Sequence, residues 1–413
     1  GEYEGLEKLG DPKFTPDFGP AEFNSRAKQT GATAIGARDF LVAYNINLNT
    51  TSTRRANAIA FDIREAGRLK KSGNPLTGKN VLDANGEPER IPGSLKAVKG
   101  IGWYIEEYGI AQLSLNLTNI NVTSVHVAFD EACAKAAKRG IRVTGSEIIG
   151  LVPKRVLIEA ADYYLRKQER SLGISDAEKI KIAVKSLGLD DLAPFDANKR
   201  VIEYMIGDGD QQPLINMKLN DFALETSSES MAPGGGSISA YCGALGVSLG
   251  TMVANLSAHK RGWDDKWETF SVWASKGMEY QEKLLNLVDE DTLAFGLPKG
   301  SEEEKQIRLD AIQAATKYAI EIPLSVARTA YQSMEVMEAM VEIGNPNSIT
   351  DAGVGAMCAR TAVLGAIMNV KINAADLNDK TFVAQVLEES KALTEKAEAL
   401  EKRLRATVDA AIS

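Results

Sequence analysis

A change of hydrophobic period near residue 215 is the strongest constraint on what this chain can fold into. Upstream, short β-branched runs alternate with polar residues between Gly- and Pro-rich breaks. Downstream, long stretches of Ala, Leu, Met, Glu and Lys keep a helical period with short interruptions. A period of two buries one face of a strand, whereas a helical period buries a stripe, so the two patterns call for separate cores. At 413 residues the chain is also too long for one compact core. The expectation is an α/β body over 1–205, a polar linker over 206–214 and an all-helical body over 215–413.

Within the first body, 39–48 reads as a strand and 54–67 as a helix. Residues 72–93 read as an exposed loop, and 94–107 with 110–119 as a hairpin through Tyr108-Gly109. Thr123 can cap a helix over 125–140 that Gly140 closes, and 141–150 reads as a last strand. The order is βαββαβ, the ferredoxin-like split unit. Two helices follow, near 153–170 and 175–188. Beyond 215, glycine clusters at 234–236, 296–300 and 344–355 punctuate a helical bundle.

A formal net charge of −8 argues against nucleic acid as a partner, while leaving room for a local basic pocket that takes an anionic small molecule. Cys133, Cys242 and Cys358 lie far apart without CxxC spacing, which fits a reducing cytoplasm better than a disulfide framework. His126 and His259 are the only histidines, so a histidine-rich metal centre is not expected. The opening residues lack the pattern of a signal peptide, so none is expected. The apolar run from Ile238 to Leu256 is built of Ala, Gly and Ser and broken by Asn255, the composition of a tightly packed helix rather than a membrane span.

The most informative stretch is MAPGGGSISAYCGALGVSLGTMVANLS at 231–257. Pro233 and Gly234, Gly235 and Gly236 form a tight loop, and Ser237 opens a helix of small residues. Such a loop lets a ligand approach the backbone, and the free amides of a helix start attract anions. The same pattern also serves a capped helix packed closely on its neighbours. It is neither a Walker loop, lacking GK[ST], nor a Rossmann turn, lacking a preceding strand.

This stretch, with DFALETSSES (221–230), LVDEDTLAF (287–295), GNPNSITDAGVGA (344–356) and MNVKIN (368–373), resembles the formiminotransferase-cyclodeaminase family. PDFGPAEF (16–23), GARDFLVAYNINLNT (36–50), KGIGW (99–103) and GSEIIGLVP (145–153) resemble the C-terminal subdomain of glutamate formiminotransferase. The resemblance implies a folate-dependent one-carbon enzyme of histidine degradation. Its helical half would close 5-formimidoyl-tetrahydrofolate to the 5,10-methenyl form and release ammonia, with no metal or redox cofactor. Methenyl-tetrahydrofolate cyclohydrolase, or a folate-binding fragment without turnover, are the alternatives.

Closing that ring needs a proton taken from N10 and one given to the departing nitrogen, work suited to a carboxylate. Asp291 continues the apolar stripe of Leu284, Leu287 and Val288, whereas Asp289 lies about 200° around the helix at about 100° per residue. Asp291 is therefore the first choice as acid/base and Asp289 the second. With the resemblance, Asn369 and Asn373 become candidates for the pterin edge, and Lys260 and Arg261 for the glutamate tail of a folate, whether mono- or polyglutamylated. Asp351 joins them as a further contact. On pattern alone, Asp351 complements a helix dipole, the asparagines cap a helix end, and Lys260-Arg261 is a solvated turn.

Asp17, Phe18, Gly19 and Pro20 resemble the transferase's folate-contacting loop, and Arg38 and Asn45 are lesser candidates. In the family a subdomain carrying the catalytic histidine precedes the PDFGP motif, so the transferase module reads as half a site. Formiminoglutamate would be its substrate if completed. Phe295 runs directly into Gly296-Leu297-Pro298, shorter than the family pattern. A homodimer or higher homo-oligomer through Ala240, Gly243, Ala244 and Gly250 is the remaining expectation.

Overall fold

The computed structural model describes residues 11–12, 15–19, 21–33, 35–37, 40–74, 77–207, 214–230, 232–290 and 304–413, with side chains in the last stretch from 312. After a short helix α1 (Ser25–Thr30), strand β1 (Val42–Leu48) leads into α2 (Thr53–Ile63). A ribbon of β2 (Arg68–Leu69) and β3 (Arg90–Ile91) precedes the hairpin of β4 (Val98–Ile105) and β5 (Ile110–Leu117). Then come α3 (Val125–Ala137), β6 (Val143–Ile149), α4 (Lys154–Lys167), α5 (Asp176–Leu187), α6 (Ala197–Arg200) and α7 (Ile202–Ile206).

The four long strands form one antiparallel sheet in the order β4-β5-β1-β6. Alternation decides its two faces. Tyr44, Ile46 and Leu48 of β1 and Leu113, Leu115 and Leu117 of β5 are buried on the face that α2 and α3 cover. Gly102 is required there: a Cβ on it would come within 2.3 Å of the α2 backbone at Asn57 N and Ala56 C. The KGIGW glycines therefore serve helix–sheet packing.

Two details differ from expectation. The stretch read as a loop over 72–93 ends in β3, whose pairing with β2 folds it back along α2. Thr123 does not cap α3: Ser124 is the N-cap residue, and the Thr123 hydroxyl instead donates to Lys96 O at 2.7 Å.

The second half is helical among its described residues: α8 (Leu219–Thr226), α9 (Gly235–Ala258), α10 (Trp267–Glu290), α11 (Glu304–Ile343), α12 (Ile349–Ala374) and α13 (Lys380–Ile412). Antiparallel α9 and α12 cross at Gly246 and Gly355, where a Cβ on either would sit 2.6–2.7 Å from the other's carbonyl oxygen. These are the two helices long and apolar enough to cross a membrane by composition, and 61% and 50% of their most apolar windows are buried inside the protein.

The small residues assigned to a dimer interface are used within the chain. Ala240 and Ala244 are core residues, Gly243 faces Ala362 and Leu284, and Gly250 faces Met337. Small side chains let helices of one chain approach as readily as helices of two, and here the intramolecular contact uses them.

Pro323 lies inside α11 and cannot donate the bond that Ala319 O would receive four residues back. The Asn373 amide of α12 fills the gap, donating from Nδ2 to Ala319 O at 2.8 Å. Each half keeps its own apolar core, and they meet through 171–173. There Leu172 N donates to Ser271 Oγ at 2.9 Å and Asn255 Nδ2 to Gly173 O at 2.7 Å.

Candidate functional site

One end of the helical bundle collects most of the residues the sequence singled out in the helical half. Pro233, Gly236 and Ser237 are buried, while Gly235 is open to solvent at the first turn of α9. Gly234 is the N-cap and offers no side chain, so the leading amides of α9 have no side-chain acceptor there. A Cβ on Gly235 would lie 3.3 Å from Asn369 Nδ2 and 3.5 Å from its Oδ1, which places the Asn369 amide against the first turn of α9, a helix that opens at Gly235 rather than at Ser237 as the sequence suggests. Asn369 Nδ2 donates to Gly365 O at 2.9 Å, and no protein donor occupies its Oδ1 among the described residues. Ser237 Oγ donates to Val288 O at 2.8 Å, locking the start of α9 to the end of α10.

Asp289 sits at that same end, only 3% exposed. Its Oδ1 accepts Leu214 N at 2.8 Å and its Oδ2 accepts Ile215 N at 3.3 Å. The helical-wheel expectation that Asp289 points away from the apolar side is therefore corrected. The segment entering the helical half packs on α10 from that direction, so both sides of its last turn are covered. Asp289 is an anchor for backbone amides, with both oxygens engaged. Asp291, the first choice, lies outside the described residues, as do Phe295 to Pro298.

Lys260, Arg261 and Asp351 do not join this end. Lys260 follows the 24 residues of α9, roughly 36 Å from Gly235 at about 1.5 Å per residue. Its ammonium stands 4.1 Å over the Trp263 ring, and Arg261 is exposed. Asp351 lies in the first turn of α12, about 27 Å along the helix from Asn369. Asn345 N, donating to Ser257 Oγ at 2.8 Å, fixes that turn beside the end of α9. Within one chain these three cannot line a pocket with Gly235 and Asn369. Asn373 reaches the right end but is committed to the gap left by Pro323.

The other half holds a second polar arrangement, on the sheet face turned away from α2 and α3. Gln112 Nε2 donates to Asn47 Oδ1 at 2.7 Å and Glu147 Oε1 at 3.1 Å. Asn45 Nδ2 donates to the same Glu147 oxygen at 3.1 Å, and Asn47 Nδ2 to Asp191 Oδ2 at 2.9 Å. Gln112 Oε1 is buried without a partner, an acceptor awaiting a donor. Trp103, in register with Gln112, extends the floor as an exposed ring.

Asn45 was a sequence candidate; Asn47, Gln112 and Glu147 were missed. The available signal was amide side chains at alternate strand positions, where a solvated face more often carries Lys, Glu or Thr. Asp17, Phe18 and Gly19 are exposed, Phe18 by 93%, and Gly19 takes φ +89. Pro20 and Arg38 lie outside the described residues.

Comparison with known proteins bears on both halves. Residues 43–207 match the Formiminotransferase domain and residues 218–392 the Formiminotransferase-cyclodeaminase family. The mouse formimidoyltransferase-cyclodeaminase is 37% identical over 407 residues, covering 95% of this chain and 71% of its own length. The chain belongs to the formimidoyltransferase-cyclodeaminase family. Two relatives of narrower extent also match. A methenyltetrahydrofolate cyclohydrolase of Methylorubrum extorquens is 32% identical, covering 48% of this chain and 99% of the relative. A glutamate formimidoyltransferase of Thermoplasma acidophilum is 36% identical, covering 40% of this chain and 45% of the relative. The family assignment gives both polar ends a context: the glycine loop with Asn369 falls in one matched segment, the sheet floor in the other.

Proposed function

We propose that this chain is a folate-dependent one-carbon enzyme of histidine degradation, whose helical half cyclises 5-formimidoyl-tetrahydrofolate to 5,10-methenyl-tetrahydrofolate and releases ammonia. The observation that carries the reading is the 37% identity to a formimidoyltransferase-cyclodeaminase across 95% of the chain. The meeting of the glycine loop, Asn369 and the end of α10 supports it. In the reaction N10 attacks the carbon of the protonated formimino group, a C–N bond forms, the C=N bond becomes single to give an amino nitrogen, and the bond to that nitrogen then breaks. The proton lost from N10 goes to the departing nitrogen, so one carboxylate can take and return the same proton. Asp291 is assigned that role, two residues beyond an aspartate whose oxygens already hold amides. Asn369 reads the pterin edge, and the α9 amides face anionic or lone-pair groups of the folate.

Residues 1–205 form the glutamate formimidoyltransferase module in this reading, with 206–214 as the linker and 215–413 as the cyclodeaminase. The strand order β4-β5-β1-β6 supports a ferredoxin-like arrangement, and the sheet floor is where formiminoglutamate and folate would bind. Asp17 to Pro20 contact folate in the same module. The three free cysteines accord with a cytoplasmic location.

The second copy of the chain is assigned to an apolar stripe rather than to the small residues. Ile238, Leu245, Met252 and Leu256 of α9 and Val354, Met357, Met368 and Ile372 of α12 are exposed at helical spacing. With the two-fold axis perpendicular to α9, the helix and its copy run antiparallel, setting Lys260, Arg261 and Asp351 of one chain toward the Gly235 end of the other.

The test incubates purified protein with 5-formimidoyl-tetrahydrofolate and follows methenyl absorbance and free ammonia together. Both rise if the reading holds; substrate binding without ammonia release overturns it. The cyclohydrolase relative favours a second reading, tested in the same cuvette. Hydrolysis of added methenyl-tetrahydrofolate that outpaces ammonia release assigns the helical half to that reaction instead.

A further inference from the structure

In a chain of net charge −8, one cavity is lined by cations and by no acid. It has a volume of about 570 Å³ and lies between α2 and the β2–β3 ribbon. Arg54 and Arg64 come from α2 and its C-cap, Arg68 and Arg90 from the two ribbon strands, and Lys71 from just beyond β2. Phe61 and Leu69 give it apolar walls. The cavity belongs to the α2 side of the sheet, opposite the polar floor.

The Arg64 and Arg90 guanidinium groups are held by carbonyls, which fix position without neutralising charge. Arg64 Nε donates to Gly67 O at 2.9 Å and its Nη1 to Gly100 O at 3.2 Å, while the group lies 3.9 Å over the Phe61 ring. Arg90 Nη1 donates to Ala66 O at 3.3 Å. Arg54 and Lys71 have no side-chain hydrogen bond or ion pair among the described residues.

Among the described residues only Arg68 of the five cations has a carboxylate partner, Asp62, and the other nearby acids are engaged elsewhere. Asp62 pairs with Arg68 and Arg139, Glu89 takes Lys70 at 2.5 Å, and Glu65 accepts Ala97 N at 2.7 Å. Burial and the neighbouring Arg90 press the Arg64 guanidinium below its ordinary value. Arg54, Arg64, Lys71 and Arg90, brought together without a carboxylate of their own, repel one another, and the scaffold that holds them there costs stability unless an anion is taken up. Planar guanidinium forks fixed beforehand suit phosphate or carboxylate oxygens.

We propose that the cavity between α2 and the β2–β3 ribbon binds a small polyanion, one bearing two or more phosphate or carboxylate groups. This site stands apart from the cyclodeaminase reading and can fail or hold independently of it. The experiment is calorimetric titration of the full chain, at about 50 mM salt where screening is weak. Inorganic pyrophosphate and ATP serve as phosphate probes and citrate as the carboxylate probe.

Saturable binding of at least one probe is expected. Arg54→Gln with Lys71→Gln should weaken it by about tenfold or more, without lowering the melting temperature of the free protein. Removing two remote cations, Lys181→Gln with Lys396→Gln, should leave the affinity unchanged. Preference for pyrophosphate and ATP assigns the ligand to the phosphates; preference for citrate assigns it to the carboxylates. Absence of saturable binding by every probe overturns the proposal. So does equal affinity in the Arg54/Lys71 variant, or an equal loss in the remote one.

Discussion

Replacing Asp289 by Ala tests the division of labour between two acids that stand two residues apart. The buried carboxylate holds Leu214 N at 2.8 Å and Ile215 N at 3.3 Å. A hydrogen bond to a charged group contributes about 1.5–3 kcal/mol, and a buried amide left unpaired costs about 1–3 kcal/mol. The longer second bond counts toward the low end, so Asp289→Ala should destabilise the helical half by about 3–4 kcal/mol. For a body of this size about 1 kcal/mol moves the melting temperature by about 2–4 °C, which gives a drop of about 6–16 °C. Asp289→Asn keeps one acceptor and should fall between. Asp291→Asn, by contrast, should melt with the parent and release ammonia about 10²–10⁴-fold more slowly. The measurements are thermal melts and steady-state ammonia release on all three variants at a temperature where each is folded. If Asp289→Ala melts within about 2 °C of the parent yet loses turnover, the anchoring argument is wrong and Asp289 belongs to the chemistry.

Asn373→Ala should lower stability by about 1–2 kcal/mol by unpairing Ala319 O beside Pro323, visible as a shifted urea midpoint. An unchanged midpoint would show that the helix tolerates the gap alone. Gly246→Val should cost about 1–3 kcal/mol or more, because its side chain meets Gly355 O at the crossing of α9 and α12. A melt like the parent's would mean that these helices slide apart freely. Asn369→Ala should raise KM for the folate more than it lowers kcat, since its bond to Gly365 O lies within its own helix; an unaltered KM removes it from the pterin site. For pH, burial holds His126 below its ordinary value, partly offset by Asp130, and burial with Arg170 lowers His259. The unfolded chain then takes up protons first, so stability should fall as pH drops from about 6.5 toward these lowered values. His126→Gln should flatten that part of the profile, and an equally steep profile in the variant would refute the assignment.

Local sequence pattern was enough to place most of the elements and the point where they change character. Alternation in VAYNINL and IAQLSLNL placed β1 and β5, and small residues from Gly235 to Ala258 placed a tightly packed helix. Such patterns are local, because each residue's burial follows from a period of two or 3.6 along its own element. The family was legible too, through motifs in which glycine and proline fix the backbone.

Tertiary structure decided which residues share a site. Gly235 and Asn369 lie 134 positions apart and meet because α9 and α12 run antiparallel, whereas Lys260, on the same helix as Gly235, is carried to the far end. The wheel that turned Asp289 outward could not register the segment at Leu214, which packs on α10 from outside the helix's own pattern. Asn373 could not be separated from a ligand contact until α11 brought Ala319 to it, with an acceptor freed by Pro323. Arg54, Arg64, Arg68, Lys71 and Arg90 likewise share no regular spacing in the sequence, and only the ribbon folding back along α2 gathers them. Periodicity reports which face of an element is buried, while the partner across that face is set by chain crossings that no local period encodes.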